Sequence, residues 1–348
     1  MSVSLPMAAA WNWRRPISGL QRTCRATTTE PPPRLCDSQN VPGRRVEMAN
    51  RRPNDLRVGF IGLGMMGAGM ARRIMGAGYP LTVTANRSRT AIEPLLRDGA
   101  AEAATPAELA AACDVVLSCV PDGPAVEKLA EHIVPVLGPG KLWIDATTSD
   151  PAVTERVAAR VAAAGAAFAD APVTGGPPQA ERGELASLVG CAVEDFAAVE
   201  AVVGTYSKVV RRFGEVGAGH TAKLLNNFVS QGTMILLAEA FGAARRKGID
   251  WTALYDVMAA GAARSGTLEK AVAPALKGDF DGSRFTIANA EKDLRYVVQL
   301  FSDEAMPGTE VAKILHAILA ERVASGDAER FVSRLLDQDG AVGELPET

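Results

Sequence analysis

The run VGFIGLGMMGAGMA, residues 58–71, puts Gly62-x-Gly64-x-x-Gly67 behind a short apolar segment and at the head of a helical one. A chain that must turn from strand to helix over three glycines opens a βαβ unit, so a parallel sheet covered by helices is expected from here on. Gly62 permits the tight turn, Gly64 leaves the backbone open to a pyrophosphate, and Gly67 lets helix and strand approach closely. The segment Gly62, Leu63, Gly64, Met65, Met66, Gly67 would present backbone N–H groups to a dinucleotide at the helix N-terminus.

The remaining pattern agrees with that opening. PLTVTANR, CDVVLSCVP, KLWIDAT and AAFADAPVT read as strands with alanine-rich helical segments between them, and GELASLVGC and SKVVRRFG read as two more. Strand signals stop near Val216. Helices are then expected at 219–247, 251–260, 266–276, 286–302, 308–324 and 327–337. The 219–247 helix is apolar almost all round at its centre, which marks a helix buried in a domain or an interface. The expected fold is therefore α/β: a Rossmann-type doubly wound sheet over residues 55–216, then an all-helical domain over 217–340.

Residues 1–54 are different in kind. They have arginines but no acid before Glu30, a triple proline and no hydrophobic period. They read as a disordered or over-long extension, with Met48 an alternative start, or as an organellar transit peptide. The expected location is cytoplasmic in the first case and an organellar matrix in the second.

Composition excludes several classes. A net charge of −3 without a basic stripe argues against a nucleic-acid partner. Five cysteines without a CxxC pair and three scattered histidines give neither a disulfide framework nor a metal centre. No apolar run is long enough to read as a membrane span.

Nineteen residues beyond Gly67 the second strand ends in Asn86, Arg87 and Ser88. An acid here would accept the ribose hydroxyls of NAD(H) and repel a 2′-phosphate. A guanidinium and a hydroxyl would bind that phosphate instead, so NADP(H) is preferred, with NAD(H) possible. Downstream, Thr174, Gly175 and Gly176 break a buried strand. They offer a hydroxyl and backbone N–H groups that suit a small carboxylate, or they form a turn and nothing more. In GAGHTAKLLNNF, Lys223 and Asn227 are four residues apart and share a helix face. Burial there would disfavour the ammonium and bring Lys223 toward neutral titration, useful for moving a hydroxyl proton.

The glycine fingerprint, DAPVTGG, GAGHTAKLLNN and the later EKDL stand in the order and spacing of the β-hydroxyacid dehydrogenases, which the chain resembles over residues 56–338. That family includes 3-hydroxyisobutyrate dehydrogenase and the tartronate and glyoxylate/succinic semialdehyde reductases. The resemblance implies an NAD(P)-dependent oxidoreductase acting on a small hydroxy acid or its semialdehyde. It makes Lys223 the catalytic lysine and puts Asn227, Thr174, Gly175, Gly176 and Thr148 on the substrate. Val120, Pro121, Thr148 and Lys292 would lie on the cofactor, with Asp293 and Phe285 close by. A homodimer or homotetramer packed through the helical domain is also implied.

Three positions depart from the family pattern. Thr174 replaces a serine, Asn226 stands where 6-phosphogluconate dehydrogenases have histidine, and GGPPQAERG replaces a glycine-richer loop, so Pro177, Pro178 and Gln179 reshape the substrate side. Two other readings remain. One is an imine reductase, whose members generally lack the lysine. The other is a non-catalytic NADPH-binding interaction protein, which need not keep Lys223, Asn227 and a hydroxyl at 174 together.

Overall fold

The computed structural model describes residues 52–85, 89–303 and 310–337. The extension, apart from its last three residues, lies outside the described residues, as do Asn86, Arg87 and Ser88.

Strands β1 (Val58–Ile61), β2 (Leu81–Val83), β3 (Ala101–Glu102), β4 (Val115–Ser118), β5 (Leu142–Asp145) and β6 (Ala167–Asp170) form a parallel array in the order β3-β2-β1-β4-β5-β6. Beyond β6 the sheet continues antiparallel through β8 (Leu185–Gly190), which pairs with β7 (Val173–Thr174) on one side. β9 (Ser207–Gly214) pairs parallel to β8. The order reverses between β1 and β4, so their C-terminal ends flank the crevice where ligands of open α/β sheets bind.

Alternate residues feed two cores, as a strand's period of two requires. Val115 and Leu117 of β4 and Leu142 and Ile144 of β5 enter one core. It is covered by α1 (Gly67–Gly76), α2 (Ile92–Arg97) and α7 (Phe196–Val203). Val116 and Trp143 enter the other, under α3 (Pro106–Ala112), α4 (Gly123–Ile133) and α5 (Pro151–Ala163). Trp143 meets Phe168 edge-on at 5.1 Å.

After β9 the described elements are helical: α8 (Ala218–Arg246), α9 (Trp251–Ala260), α10 (Gly266–Ala275), α11 (Ile287–Asp303) and α12 (Glu310–Arg322). Met234, Ile235, Ala238 and Phe241 of α8 pack with Leu268 and Val272 of α10 and with Ile287, Ala290 and Leu294 of α11.

Three expectations need correction. The short edge strand β3 and the short helix α6 (Pro177–Arg182) carry almost no hydrophobic period and were not anticipated. The helix expected over 327–337 is not one. Gly326 turns at φ 93°, Phe331 is extended and bridges to Thr286, and Val332–Leu336 is a 3₁₀ turn. The buried-or-interface expectation for α8 is not contradicted: within one chain its outer face leaves Leu225, Val229 and Leu236 exposed.

Candidate active site

The glycine turn has the shape a dinucleotide requires. Gly62 sits at φ 98°, and a Cβ there would run into the carbonyl oxygen of Cys119. A Cβ on Gly67 would run into Gly62 O, whereas one on Gly64 would meet open space. The first bond of the α1 turn is Ala68 N–H to Gly64 O at 3.1 Å, so the N–H groups of Met65 and Met66 precede it. Leu63 and Met66 pack on the core, while the Met65 side chain is exposed. Beyond the undescribed Asn86–Ser88 segment, Arg89 is engaged by Glu102 through two bonds of 2.9 and 3.0 Å.

On the other side of the crevice, the loops after β4 and β5 are tied together and then to a helix. Val120 N–H donates to Thr147 Oγ1 at 3.1 Å. Lys292 of α11 donates from Nζ to Pro121 O at 3.2 Å and to Thr148 O at 2.9 Å. Gly123 N–H donates to the Tyr296 hydroxyl at 3.3 Å, one turn further along α11. Val120, Pro121, Thr148 and Lys292 are thereby brought into one place. Phe285 packs into the helical core two turns before Lys292.

Asp170, the last residue of β6, organises the start of α8. Its carboxylate accepts from Gly217 N–H at 2.7 Å and from His220 N–H at 2.6 Å, supplying the anion that a helix N-terminus favours. Burial nevertheless pushes its carboxyl above the usual range, opposed by His220 and by those two N–H groups. Gly219 is obligatory at this contact, since a Cβ would run into Leu188 O and lie 2.7 Å from Asp170 Oδ2. The buried His220 ring bridges Thr154 Oγ1 and Thr147 O, both at 2.7 Å.

One turn on, Lys223 is 9% exposed. Burial lowers its pKa to about 8; Asp293 opposes that fall and Lys292 adds to it. Asn227, also buried, donates from Nδ2 to Asp293 Oδ2 at 2.6 Å and accepts at Oδ1 from Asn226 at 3.1 Å. Asp293 Oδ1 lies 3.2 Å from Lys292 Nζ. Lys223, Asn227, Asp293 and Lys292 therefore form one electrostatic unit carried by α8 and α11. On the same face, Gln231 is buried with Oε1 unbonded.

Thr174 is positioned by the sheet. It pairs with Ala186 of β8, two residues before the Leu188 carbonyl that lies against Gly219. Gly175 turns at φ 119°, and Gly176 leads into α6. Sequence reasoning missed Asp170, His220, Thr147 and Gln231. An acid ending an apolar strand and a histidine inside GAGHTAK were the available signals.

Comparison with known proteins sharpens the picture. A model for the NAD-binding domain of 6-phosphogluconate dehydrogenase matches residues 57–216. One for the NAD-binding region of NADP-dependent 3-hydroxyisobutyrate dehydrogenase matches residues 217–336. Mitochondrial 3-hydroxyisobutyrate dehydrogenase of Bos taurus is 36% identical over 247 residues, 70% of this chain and 70% of its own length. The chain belongs to the β-hydroxyacid dehydrogenase family. Another family member, L-threonate dehydrogenase of Cupriavidus necator, is 34% identical over 64% of this chain and 76% of its own. The solved Mycobacterium tuberculosis 3-hydroxyisobutyrate dehydrogenase with L-serine superposes with a TM-score of 0.75 at 26% identity, covering 82% of this chain and 99% of that one. Among the described residues no side-chain group could hold a metal ion, and no helix is long and apolar enough to cross a membrane.

Proposed function

We propose that this chain, an NAD(P)-dependent oxidoreductase of the β-hydroxyacid dehydrogenase family, interconverts a small 3-hydroxy acid and its semialdehyde with NADP(H) preferred and Lys223 as general acid/base. The observation that carries the reading is Lys223 itself. It is buried, shares a helix face with Asn227, and has its pKa lowered to about 8, where it can both take and give a proton near neutrality.

The backbone of Gly62, Leu63, Gly64, Met65, Met66 and Gly67 would hold the pyrophosphate, and the shape of that turn supports this, with Gly64 open above and Gly62 and Gly67 closed below. Asn86, Arg87 and Ser88 would take the adenosine end, and their lack of a carboxylate is the reason for preferring NADP(H). Val120, Pro121, Thr148 and Lys292 would close over the nicotinamide end. When bound, the cofactor accepts or supplies the hydride at the carbinol carbon.

The side chains do the rest. Neutral Lys223 removes the hydroxyl proton in the oxidative direction, and its ammonium returns a proton to the carbonyl oxygen in the reductive one. One Asn227 amide hydrogen is committed to Asp293, which leaves the second to orient the reacting oxygen without adding charge. Thr174, Gly175 and Gly176 take the carboxylate. The domain division at 216/217 and assembly as a homodimer or homotetramer belong to the same reading, supported for the assembly by the exposed apolar stripe of α8. Cytoplasmic location, or an organellar matrix if residues 1–50 are cleaved, completes it.

The test is a panel: purified protein with NADPH or NADH and glyoxylate, succinic, methylmalonic or tartronic semialdehyde. Turnover of at least one with NADPH ahead of NADH is expected. Tight NADPH binding without turnover of any would favour an interaction protein, and equal use of NADH would overturn the cofactor preference.

A further inference from the structure

The turn after β7 offers fewer backbone donors than its two glycines promise. Pro177 and Pro178 have no N–H. The N–H of Gly176 is already used, donating to Oε1 of Gln179 at 3.0 Å. The Gln179 side chain lies along both glycines. A Cβ on Gly175 would sit 3.4 Å from Gln179 Cβ and 3.8 Å from Cγ, and one on Gly176 would sit 3.4 Å from Oε1.

That bond settles which way the amide points. The atom facing an N–H donor must be the oxygen, so the NH₂ group is the other arm. Gln179 is half-buried, and no acceptor among the described residues takes its Nε2 hydrogens. The loop has thus exchanged one backbone donor for two side-chain donors, on an amide pinned by its acceptor end to Gly176, two residues after Thr174. Uncharged N–H groups held in this way match the lone pairs of a carboxylate.

We propose that Gln179 reads the substrate carboxylate, donating from Nε2 alongside Thr174 Oγ1, and so selects free acids over neutral analogues. The assignment rests on the hydroxy-acid reading above. A competing anion is near, because α6 packs against the fingerprint helix, with Ala180 Cβ 3.1 Å from where a Cβ on Gly69 would sit and Arg72 bonded to Glu181 at 2.5 Å. The experiment must therefore separate substrate from cofactor.

Gln179→Glu is the discriminating change. A carboxylate still accepts from Gly176 N–H, so the loop keeps its closure, but the donor arm becomes an anionic oxygen. In the full chain with saturating NADP(H), KM for the 3-hydroxy acid or semialdehyde acid that wild type turns over should rise about 30-fold or more, since charge-assisted donation gives way to repulsion. kcat and the NADPH Kd should each stay within about threefold, and the KM penalty should shrink to about threefold for the methyl ester of the same acid. Gln179→Met, which loses both arms, should raise KM for the acid about 10-fold and guards against a fold-specific failure of the first variant. An unchanged KM in either folded variant overturns the assignment. So does an equal penalty for acid and ester, or a loss confined to NADPH affinity. If wild type turns over no acid of the panel with either cofactor, the functional reading fails and this inference falls with it.

Discussion

Replacing Lys223 with methionine should make the protein more stable while removing its chemistry. The ordinary lysine value is 10.5 and burial brings this one to about 8, a gap equivalent to about 3 kcal/mol. The sign follows from proton counting. Between those two values the unfolded chain binds more protons than the folded one, so wild-type stability rises with pH across that interval. Below about 8 both states carry the ammonium, and the folded state bears its full desolvation cost. Methionine has similar length and no charge to desolvate. At pH 6.5 Lys223→Met should therefore exceed wild type by about 3 kcal/mol from the net of burial, Asp293 attraction and Lys292 repulsion, and that excess should vanish by about pH 10.5. Any packing gain from the thioether is independent of pH and shifts the whole curve without changing its slope. Urea denaturation at intervals from pH 6.5 to 10.5 measures the slope, and parallel assays should show turnover reduced about a thousandfold. A stability difference that stays constant with pH would refute the idea that this ammonium is held out of water.

Three further outcomes use the same geometry. Asp293 holds the Lys223 ammonium up and Lys292 pushes it down, so Asp293→Asn should move the midpoint of the oxidative pH–rate profile below about 8 and Lys292→Met above it; midpoints moving together would deny the coupling. Lys292→Met also removes the bonds to Pro121 O and Thr148 O, and KM for both cofactor and substrate should rise about 10-fold in steady-state assays. Gly219→Ala forces a methyl against Leu188 O and Asp170, and should lower stability by about 3 kcal/mol or more in urea titration.

Much of the fold was legible because its determinants are local. The fingerprint, the apolar strands and the 3.6-residue period of the long helices each lie within one short segment. The failures have the same cause reversed. β3 is two residues long, and both are exposed. The last expected helix is interrupted at Phe331, whose extended backbone bridges to Thr286, a partner 45 residues away. At the candidate site, Lys223 and Asn227 were legible because they are one helix turn apart. Asp170 holding His220 was not, because 50 residues separate them. Nor was Lys292 reaching Thr148 O across 144 residues. The glycine pair after Thr174 suggested free N–H donors, and only the structure reveals that Gln179 occupies one of them.

The carboxylate of Asp170 has a consequence for how such a protein can diversify. By gripping Gly217 and His220 it references the first turn of α8, and Lys223 with it, to the sheet. The remaining turns of that helix answer to the bundle. Substitutions that repack α8 beyond Asn227, or recut its outer stripe for a new assembly, can therefore accumulate without moving Lys223, the proposed proton-transfer group. The part of the molecule that would meet partners is free to drift, because the part that would do chemistry is anchored elsewhere.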